Sequence, residues 1–545
     1  MLDGFVPWPA ADAKRYRDAG FWRGVSLFEQ LAQAASARGQ ATALVDGSRR
    51  VAYDELIENV EALAAGLHDL GLRAGERVVL QLANGVRMVE TFYALTRIGA
   101  VPMMALPAHR RSEIEHFVRA SGAIALIVPE TARDHDYRHM AAEVAAACPH
   151  LRHVLVDGSP GSGQRSLGDH FAPGRAPDCP PPAAGEVALM LGSGGTTGLP
   201  KLIARTHDDY LCGCLHAARV AEFGADTVFL AMLPMGHNYT LGAPGFVGAL
   251  SCGGTTVIAR TTDPEQLLSL IDRERVTVVS AAAPIVARWL AGDWLERCDL
   301  TSLRSVMCGG SRLAPAQRRL VEQRFGCVYQ ESYGTAEGLL NMTRLDDPDT
   351  LRHDSSGRPV CPADEIRVVD AQGRELPDGE AGELQARGPY TIRGYYRAPD
   401  ADERAFTADG YYRMGDIARR VDGYLYVEGR LKEQINRGGE KISCEEVEGH
   451  VLAHPDVQAA CVIAAPDEAF GERVCAVVIL RPGARMDLED LREFLRGQAI
   501  ARFKWPEHLE VVNEFPISAA GKVLRRALRA EMFGASNAST GVPAA

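Results

Sequence analysis

A chain of 545 residues is too long for one hydrophobic core to keep growing, so at least two domains and three or four subdomains are expected. With 46% hydrophobic and 24% charged residues the composition is that of a globular protein, and a formal charge of -12 argues against a surface that coats nucleic acid. The N-terminus lacks a signal-peptide core and no apolar run is long enough to span a bilayer, so a cytoplasmic protein without a membrane or nucleic-acid partner is expected. The 12 cysteines form no dense disulfide framework and read as buried free thiols. Cys212 and Cys214, one residue apart with no Cys/His cluster nearby, do not read as a zinc site.

In chain order, an N-terminal arm leads to a helix over 53–70 with one apolar face, stopped by Gly71. Next come a strand over Arg77–Leu82, helices over 87–98 and 111–120, and a strand in AIALIVP. Residues 158–186 are rich in Pro, Gly and Ser and read as a long surface connection. Beyond residue 205 helices (206–220, 263–273, 314–324) again alternate with strands (Thr227–Leu233, Thr255–Ala259, Val276–Ala281, Leu303–Cys308, Cys327–Gln330). This alternation predicts α/β layers with largely parallel sheets, and polar or glycine-rich segments fall just after strands, where such sheets bind ligands. After about residue 360 short alternating strands (EIRVVD, GELQARG, YLYVEG) suggest a small antiparallel, barrel-like part. From 433 helices at 443–453 and 487–496 alternate with strands at Ala459–Ala464, Val474–Leu480 and Leu509–Val512, a small α+β domain. The last dozen residues carry almost no apolar bulk and read as disordered.

One stretch carries the chemistry. In LMLGSGGTTGLPKLI, Leu189–Ile203, an apolar run breaks into Ser193, Gly194, Gly195, Thr196, Thr197 and Gly198, then Pro200 and Lys201. The glycines let the backbone turn without Cβ clashes, hydroxyls and amides can close on phosphate oxygens, and Lys201 adds a positive charge. There is no Gly-Lys-Ser/Thr after the glycines, so this is not a Walker A loop, and a surface linker is the plainer alternative. Asp416, in YYRMGDIA, can accept both hydroxyls of a ribose or merely cap a turn. Glu337, in GTAEG, can hold Mg2+ beside phosphates or start a helix. Arg430 and Lys432 sit in EGRLKEQINRGGEKIS, a polar hinge or a charged linker. Lys522, in PISAAGKVLR, can present an ammonium from a glycine turn to a developing negative charge, although taken alone it reads as a surface lysine.

SGGTTGLPK, ESYGTAEG, YYRMGDIA, GRLKEQINRGGEKI and PISAAGKVLR, in this order over nearly the whole chain, resemble the adenylate-forming superfamily of acyl-CoA synthetases, luciferases and peptide-synthetase adenylation domains. LPMGHNYTLGAPG, NMTRLDDP, RGPYTIRGYYRAP and NRGGEKISCEEVE resemble the stand-alone salicylate- and 2,3-dihydroxybenzoate-AMP ligases of siderophore pathways. The resemblance implies a core domain over 1–431, a hinge at Lys432, a mobile C-terminal domain over 433–530 and a tail over 531–545. It implies that Ser193 to Lys201 wrap the β- and γ-phosphates of ATP and that Glu337, with Thr196, holds Mg2+. Gly309, Gly310 and Ser311, with Tyr333, Gly334 and Thr335, would wall the adenine and acyl groups. Asp416 would hold the ribose, Arg430 would lie near ribose and phosphates, and Lys522 would bridge the substrate carboxylate and the α-phosphate. His237 would line or gate the acyl pocket, or simply be a packed, hydrogen-bonded histidine.

The acid is read from the pocket. Amino-acid-activating relatives carry aspartate where this chain has Asn238; a neutral amide removes the partner of an α-ammonium and can hydrogen-bond an ortho-hydroxyl. Tyr239 offers an aromatic wall. Dihydroxybenzoate enzymes carry serine at the position of Ala243 and valine at that of Leu340, and salicylate enzymes typically carry cysteine and leucine. Ala243 gives a 3-hydroxyl no partner, which costs about 1–3 kcal/mol when buried, so salicylate is favoured. 2,3-Dihydroxybenzoate, anthranilate or another small aryl acid stays open. The implied acceptor is the phosphopantetheine thiol of a separate aryl carrier protein, since the stretch beyond Lys522 is too short to hold a carrier segment. Coenzyme A is the rival thiol, and a homodimer is compatible with the sequence. A nonenzymatic nucleotide-binding protein would have lost Lys522, Glu337 or the glycine loop, and a dehydrogenase would need a Gly-x-Gly-x-x-Gly unit that is absent.

Overall fold

The computed structural model describes residues 2–132, 135–193, 200–292, 294–310, 313–437, 440–467, 470–498, 500, 502–518 and 522–534. The strand–helix alternation is realised in the predicted order. Helix Tyr53–Asp69 starts with Asp54 and Glu55 in its first turn, where carboxylates favour the positive end of the helix dipole, and stops before Gly71 at φ +106°. In the N-terminal arm, helix Leu27–Arg38 is closed by a capping box between Ser26 and Glu29.

Among the described residues two large sheets form. One has seven strands in the order Leu202–Thr206, Val187–Gly192, Val101–Met104, Arg77–Leu80, Ala125–Pro129, His153–Asp157, Arg165–Ser166, antiparallel only between the first two. The other has nine, in the order Arg358–Pro359, Gly338–Met342, Val328–Thr335, Ser305–Gly309, Val278–Ala281, Val228–Ala231, Thr255–Ile258, Thr42–Asp46, Arg49–Ala52. It is parallel from Val328–Thr335 across to Thr42–Asp46 and antiparallel at both edges. The strands read as near-continuous apolar runs because helices cover them. Val79, Phe117 and Leu126 pack one core; Leu230, Val279, Trp289 and Val306 pack the other.

Two expectations change. ESYGTAEG is not a loop after a strand: the strand runs on through Thr335 and turns back at Ala336 and Glu337 into Gly338–Met342. The pairing that makes this hairpin is tertiary. The connection over 158–186 is interrupted by strand Arg165–Ser166 and a 3-10 turn, Leu167–His170, whose Leu167 is buried.

The chain divides into two compact units: residues 1–313, 318–366 and 386–413 with both large sheets, and residues 314–317, 367–385 and 414–545. The second holds most of a four-stranded sheet in the order Glu365–Val369, Ala381–Arg387, Tyr412–Val421, Tyr424–Arg430. It also holds a five-stranded sheet built on the antiparallel pair Val457–Asp467 and Gly471–Leu480, with helices Cys444–Leu452 and Leu488–Arg496 closing a core of Ile442, Val447, Val478 and Leu491. Helix Arg525–Phe533 buries Leu528 and takes in Glu531–Phe533, so it extends past the expected start of the tail; residues 535–545 lie outside the described residues. Among the described residues no helix is long and apolar enough to cross a membrane.

Candidate active site

The glycine-loop stretch sits at the tip of the antiparallel hairpin Val187–Gly192/Leu202–Thr206. The Ser193 N–H donates to the Lys201 carbonyl at 2.8 Å, and the Lys201 N–H donates to Ser193 Oγ at 3.0 Å, so the loop's two ends are pinned together. Gly194, Gly195, Thr196, Thr197 and Gly198 lie outside the described residues. The Lys201 ammonium stands 4.1 Å from the ring centroid of Tyr395, a cation–π contact. The Tyr395 hydroxyl in turn donates to Glu337 Oε1 at 2.9 Å. Burial and the Glu337 charge raise the Tyr395 hydroxyl above the ordinary phenol range, so it stays a donor.

Glu337 is 7% exposed and occupies a hairpin turn; no helix starts there. The turn is held from several sides. Arg205, paired with Asp209 at 2.6 Å and buried, donates to the carbonyls of Ala336 at 2.8 Å and Tyr390 at 2.9 Å. The Ile392 N–H donates to the Glu337 carbonyl, and Thr335 Oγ1 donates to the Gly338 carbonyl. Gly338 has φ +133°, and a Cβ there would sit 2.3 Å from Thr391 Cα, so only glycine fits. A buried carboxylate with one oxygen steered by Tyr395 is a hard donor of the kind Mg2+ takes. Thr196, the other expected ligand, lies outside the described residues.

The residues expected to line the acid pocket include the C-terminal ends of the adjacent strands Ser305–Gly309 and Val328–Thr335 and the first half of the antiparallel return strand Gly338–Met342. Gly309 ends one; a Cβ on it would meet the Tyr239 ring at 2.9 Å and the Ser332 carbonyl at 2.9 Å. Gly310 comes next at φ +82°, and Ser311 lies outside the described residues. On the hairpin Gly334 pairs with Leu340, whose Cδ1 would lie 3.0 Å from a Cβ at Gly334, while Tyr333 pairs with Asn341. His237 caps the short helix Asn238–Gly242: its Nδ1 accepts from the Tyr239 N–H at 3.2 Å, which leaves Nε2 carrying the proton. Asn238 Oδ1 accepts from the Tyr210 hydroxyl at 2.9 Å, which leaves both Nδ2 hydrogens and one further Oδ1 lone pair for other partners. Tyr239 and Ala243 are buried.

In the second unit Asp416 is 2% exposed and lies opposite Arg430 in the ladder, with Arg430 Nε 2.8 Å from Asp416 Oδ1. Lys522 is on the turn between the bridged residues Ile517 and Val523, its N–H bonded to Ser518 Oγ at 3.1 Å. Solvent reaches Lys522, yet the protein mass around it and the positive Arg430 hold its ammonium below the ordinary lysine range, against the pull of Asp416, Glu433 and Glu445. Asp416, Arg430 and Lys522 thus share one electrostatic neighbourhood. Lys432 has its backbone in the 3-10 turn Leu431–Glu433.

Sequence reading missed Tyr395, Arg205 and Tyr210. Tyr395 lies inside RGPYTIRGYYRAP, so its signal was a tyrosine pair, without anything to say which ring meets the loop lysine. It also read no Cys/His cluster near Cys212. The fold corrects this: Cys212 and His216, one helical turn apart on helix His207–Val220, meet Cys361 from a segment 145 residues beyond His216, all three buried.

Residues 31–396 match the family model for AMP-binding enzymes, and residues 446–522 match that for the AMP-binding enzyme C-terminal domain. The chain is 46% identical over 531 residues to pyochelin synthase PchD of Pseudomonas aeruginosa strain UCBPP-PA14, covering 97% of this chain and 96% of that protein. It is 44% identical over 537 residues to a salicylyl-CoA synthase / salicylate adenylyltransferase of a Streptomyces species, covering 97% of each. To the 2,3-dihydroxybenzoate-AMP ligase of Bacillus subtilis strain 168 it is 42% identical over 530 residues, covering 97% of this chain and 98% of that one.

Proposed function

We propose that this chain, which belongs to the AMP-binding enzyme family, activates salicylate with ATP and passes the aryl group to the phosphopantetheine thiol of a separate aryl carrier protein in siderophore assembly. In the first step a carboxylate oxygen attacks the α-phosphorus, the bond to pyrophosphate breaks, and an acyl-adenylate forms. In the second a thiolate attacks the acyl carbon and AMP leaves. A carboxylate is a poor nucleophile toward an anionic triphosphate, so both partners need their charge offset.

The residues divide that work. Ser193 to Lys201 cradle the β- and γ-phosphates, and Asp416 and Arg430 take the ribose side. Lys522 bridges the substrate carboxylate and the α-phosphate. Glu337, kept in place by Tyr395 and by Arg205 on the Ala336 carbonyl, would hold Mg2+ together with Thr196, and the bound ion would supply further neutralisation of the triphosphate. Lys432 is the hinge between residues 1–431 and 433–530, and rotation about it withdraws Lys522 after adenylation and admits the thiol.

The observation that carries the choice of acid is the Tyr210–Asn238 bond. It fixes the amide so that Nδ2 donates, which suits the oxygen of an ortho-hydroxyl and repels an α-ammonium. Tyr239 stacks against the ring, and Ala243 leaves a 3-hydroxyl without a partner. Two other readings have support: 2,3-dihydroxybenzoate is named for the Bacillus relative, and transfer to coenzyme A for the Streptomyces one.

ATP–pyrophosphate exchange across salicylate, 2,3-dihydroxybenzoate, anthranilate and benzoate tests the acid, with salicylate expected to give the highest kcat/KM. Thioester formation with a phosphopantetheinylated aryl carrier protein against coenzyme A tests the acceptor. Faster transfer to coenzyme A would replace the carrier-protein reading.

A further inference from the structure

Helix His207–Val220 has two working faces. Tyr210 and Cys214, one turn apart, look toward the acid pocket: Tyr210 bonds Asn238, and a Cβ at Gly242 would lie 2.4 Å from the Tyr210 hydroxyl and 2.8 Å from Cys214 Sγ. Cys212 and His216, offset by about 200° of helical rotation from that pair, face the segment that ends at Glu365. There Cys361 brings a third donor. The Sγ atoms of Cys212 and Cys361 and a ring nitrogen of His216 lie within 4.8 Å of one another. His216 Nδ1 is 2.8 Å from the Cys212 carbonyl, the i–4 position, and 3.7 Å from Cys212 Sγ.

We infer that Cys212, His216 and Cys361 form a zinc site that clamps helix His207–Val220 to the segment before Glu365. The donor set is the argument. Two thiols and an imidazole are what Zn2+ takes, and ligand atoms on one tetrahedral zinc stand about 3.3–3.8 Å apart, a separation that small side-chain rotations reach from the observed spacing. Cys212 and His216 at i and i+4 present both donors on one helix face without backbone change. All three residues are buried, so the site is closed to bulk solvent and to competing ligands. Nearby, Asp364 adds a carboxylate whose Oδ2 accepts from the Tyr390 hydroxyl and whose Oδ1 is buried without a hydrogen-bond partner. The three protein donors leave one tetrahedral position, which a single enclosed water fills. Binding deprotonates both thiols and releases their protons to solvent.

The clamp stands next to the substrate site. The Tyr390 hydroxyl, bonded to Asp364, also accepts from the Leu340 N–H at 3.2 Å, and a Cβ on Gly213 would lie 3.4 Å from the Tyr390 ring. Zinc at the cluster would hold the back of the helix whose front carries Tyr210.

The full-length protein, purified without chelators, is expected to carry about one zinc per chain by plasma mass spectrometry. Cobalt exchanged into the same protein is expected to give a thiolate-to-cobalt charge-transfer band and tetrahedral d–d bands, a signature independent of any variant. Cys361→Ser and His216→Ala should lose the metal while Cys214→Ser, on the same helix, keeps it. Zinc-free protein that takes up no cobalt overturns the inference, and so does a Cys212–Cys361 disulfide in freshly purified protein.

Discussion

Asn238 is a residue whose meaning depends on a neighbour. Alone it is a neutral side chain where a charged one would pair with an amino acid; with Tyr210 donating to Oδ1 it becomes an oriented donor. Tyr210→Phe should therefore raise KM for salicylate by about fivefold, one hydrogen bond's worth, with kcat for pyrophosphate exchange nearly unchanged. Ala243→Ser should raise the kcat/KM ratio of 2,3-dihydroxybenzoate to salicylate by about tenfold by giving the 3-hydroxyl a partner. Lys522 sets a pH limb. In its proposed role the ammonium must be charged to bridge two anions, and its pKa lies below the ordinary lysine value, so adenylation should fall as pH rises through that lowered pKa. Glu445, ionised at alkaline pH, pulls the pKa upward; Glu445→Gln should move the alkaline limb of adenylation to lower pH, and Lys522→Arg should move it up. Lys522→Ala should abolish adenylate formation while sparing transfer from pre-made salicyl-AMP.

At the scale of elements, the hairpin Val328–Thr335/Gly338–Met342 does most of the positioning. Gly338→Ala puts a methyl into the Thr391 backbone at a φ that L residues rarely adopt, and should lower stability by about 3 kcal/mol, read as a lower midpoint in thermal unfolding. Tyr395→Phe keeps the ring under Lys201 but removes the bond to Glu337, and should raise the Mg2+ concentration needed for half-maximal exchange by about fivefold. The sheet strands and their helices were legible because apolar runs and periodicity are local properties. The hairpin was not: ESYGTAEG carries polar and small residues that by themselves suggest a loop, and only pairing with Ser305–Gly309 on one side and Arg358–Pro359 beyond its return strand makes it sheet. Likewise Glu337 and Lys201 were legible as charges in loops, whereas the ring that joins them comes from almost 60 residues beyond Glu337. Cys361 is farther still from Cys212, and spacing rules for metal ligands do not reach across a fold.

For the molecule as a whole, two compact units imply two unfolding transitions rather than one. Arg525 ties the smaller unit's last helix to Glu433 and Glu448, each at 2.5 Å, close in sequence to Lys522. Arg525→Met leaves both carboxylates without that partner in half-buried surroundings; it should cost the smaller unit about 2–3 kcal/mol and lower one calorimetric transition only. The buried Arg205 has a different reach. It sits on strand Leu202–Thr206, is paired with the first turn of helix His207–Val220, and grips the carbonyls of Ala336 and Tyr390. One guanidinium therefore sets the register between strand Leu202–Thr206, helix His207–Val220 and the turn at Ala336, the parts proposed to hold nucleotide and acid. Redesign of the proposed acid pocket toward bulkier acids should leave that helix alone and work from Ala243 and Leu340, because a shifted helix would drag Arg205 off the Ala336 and Tyr390 carbonyls.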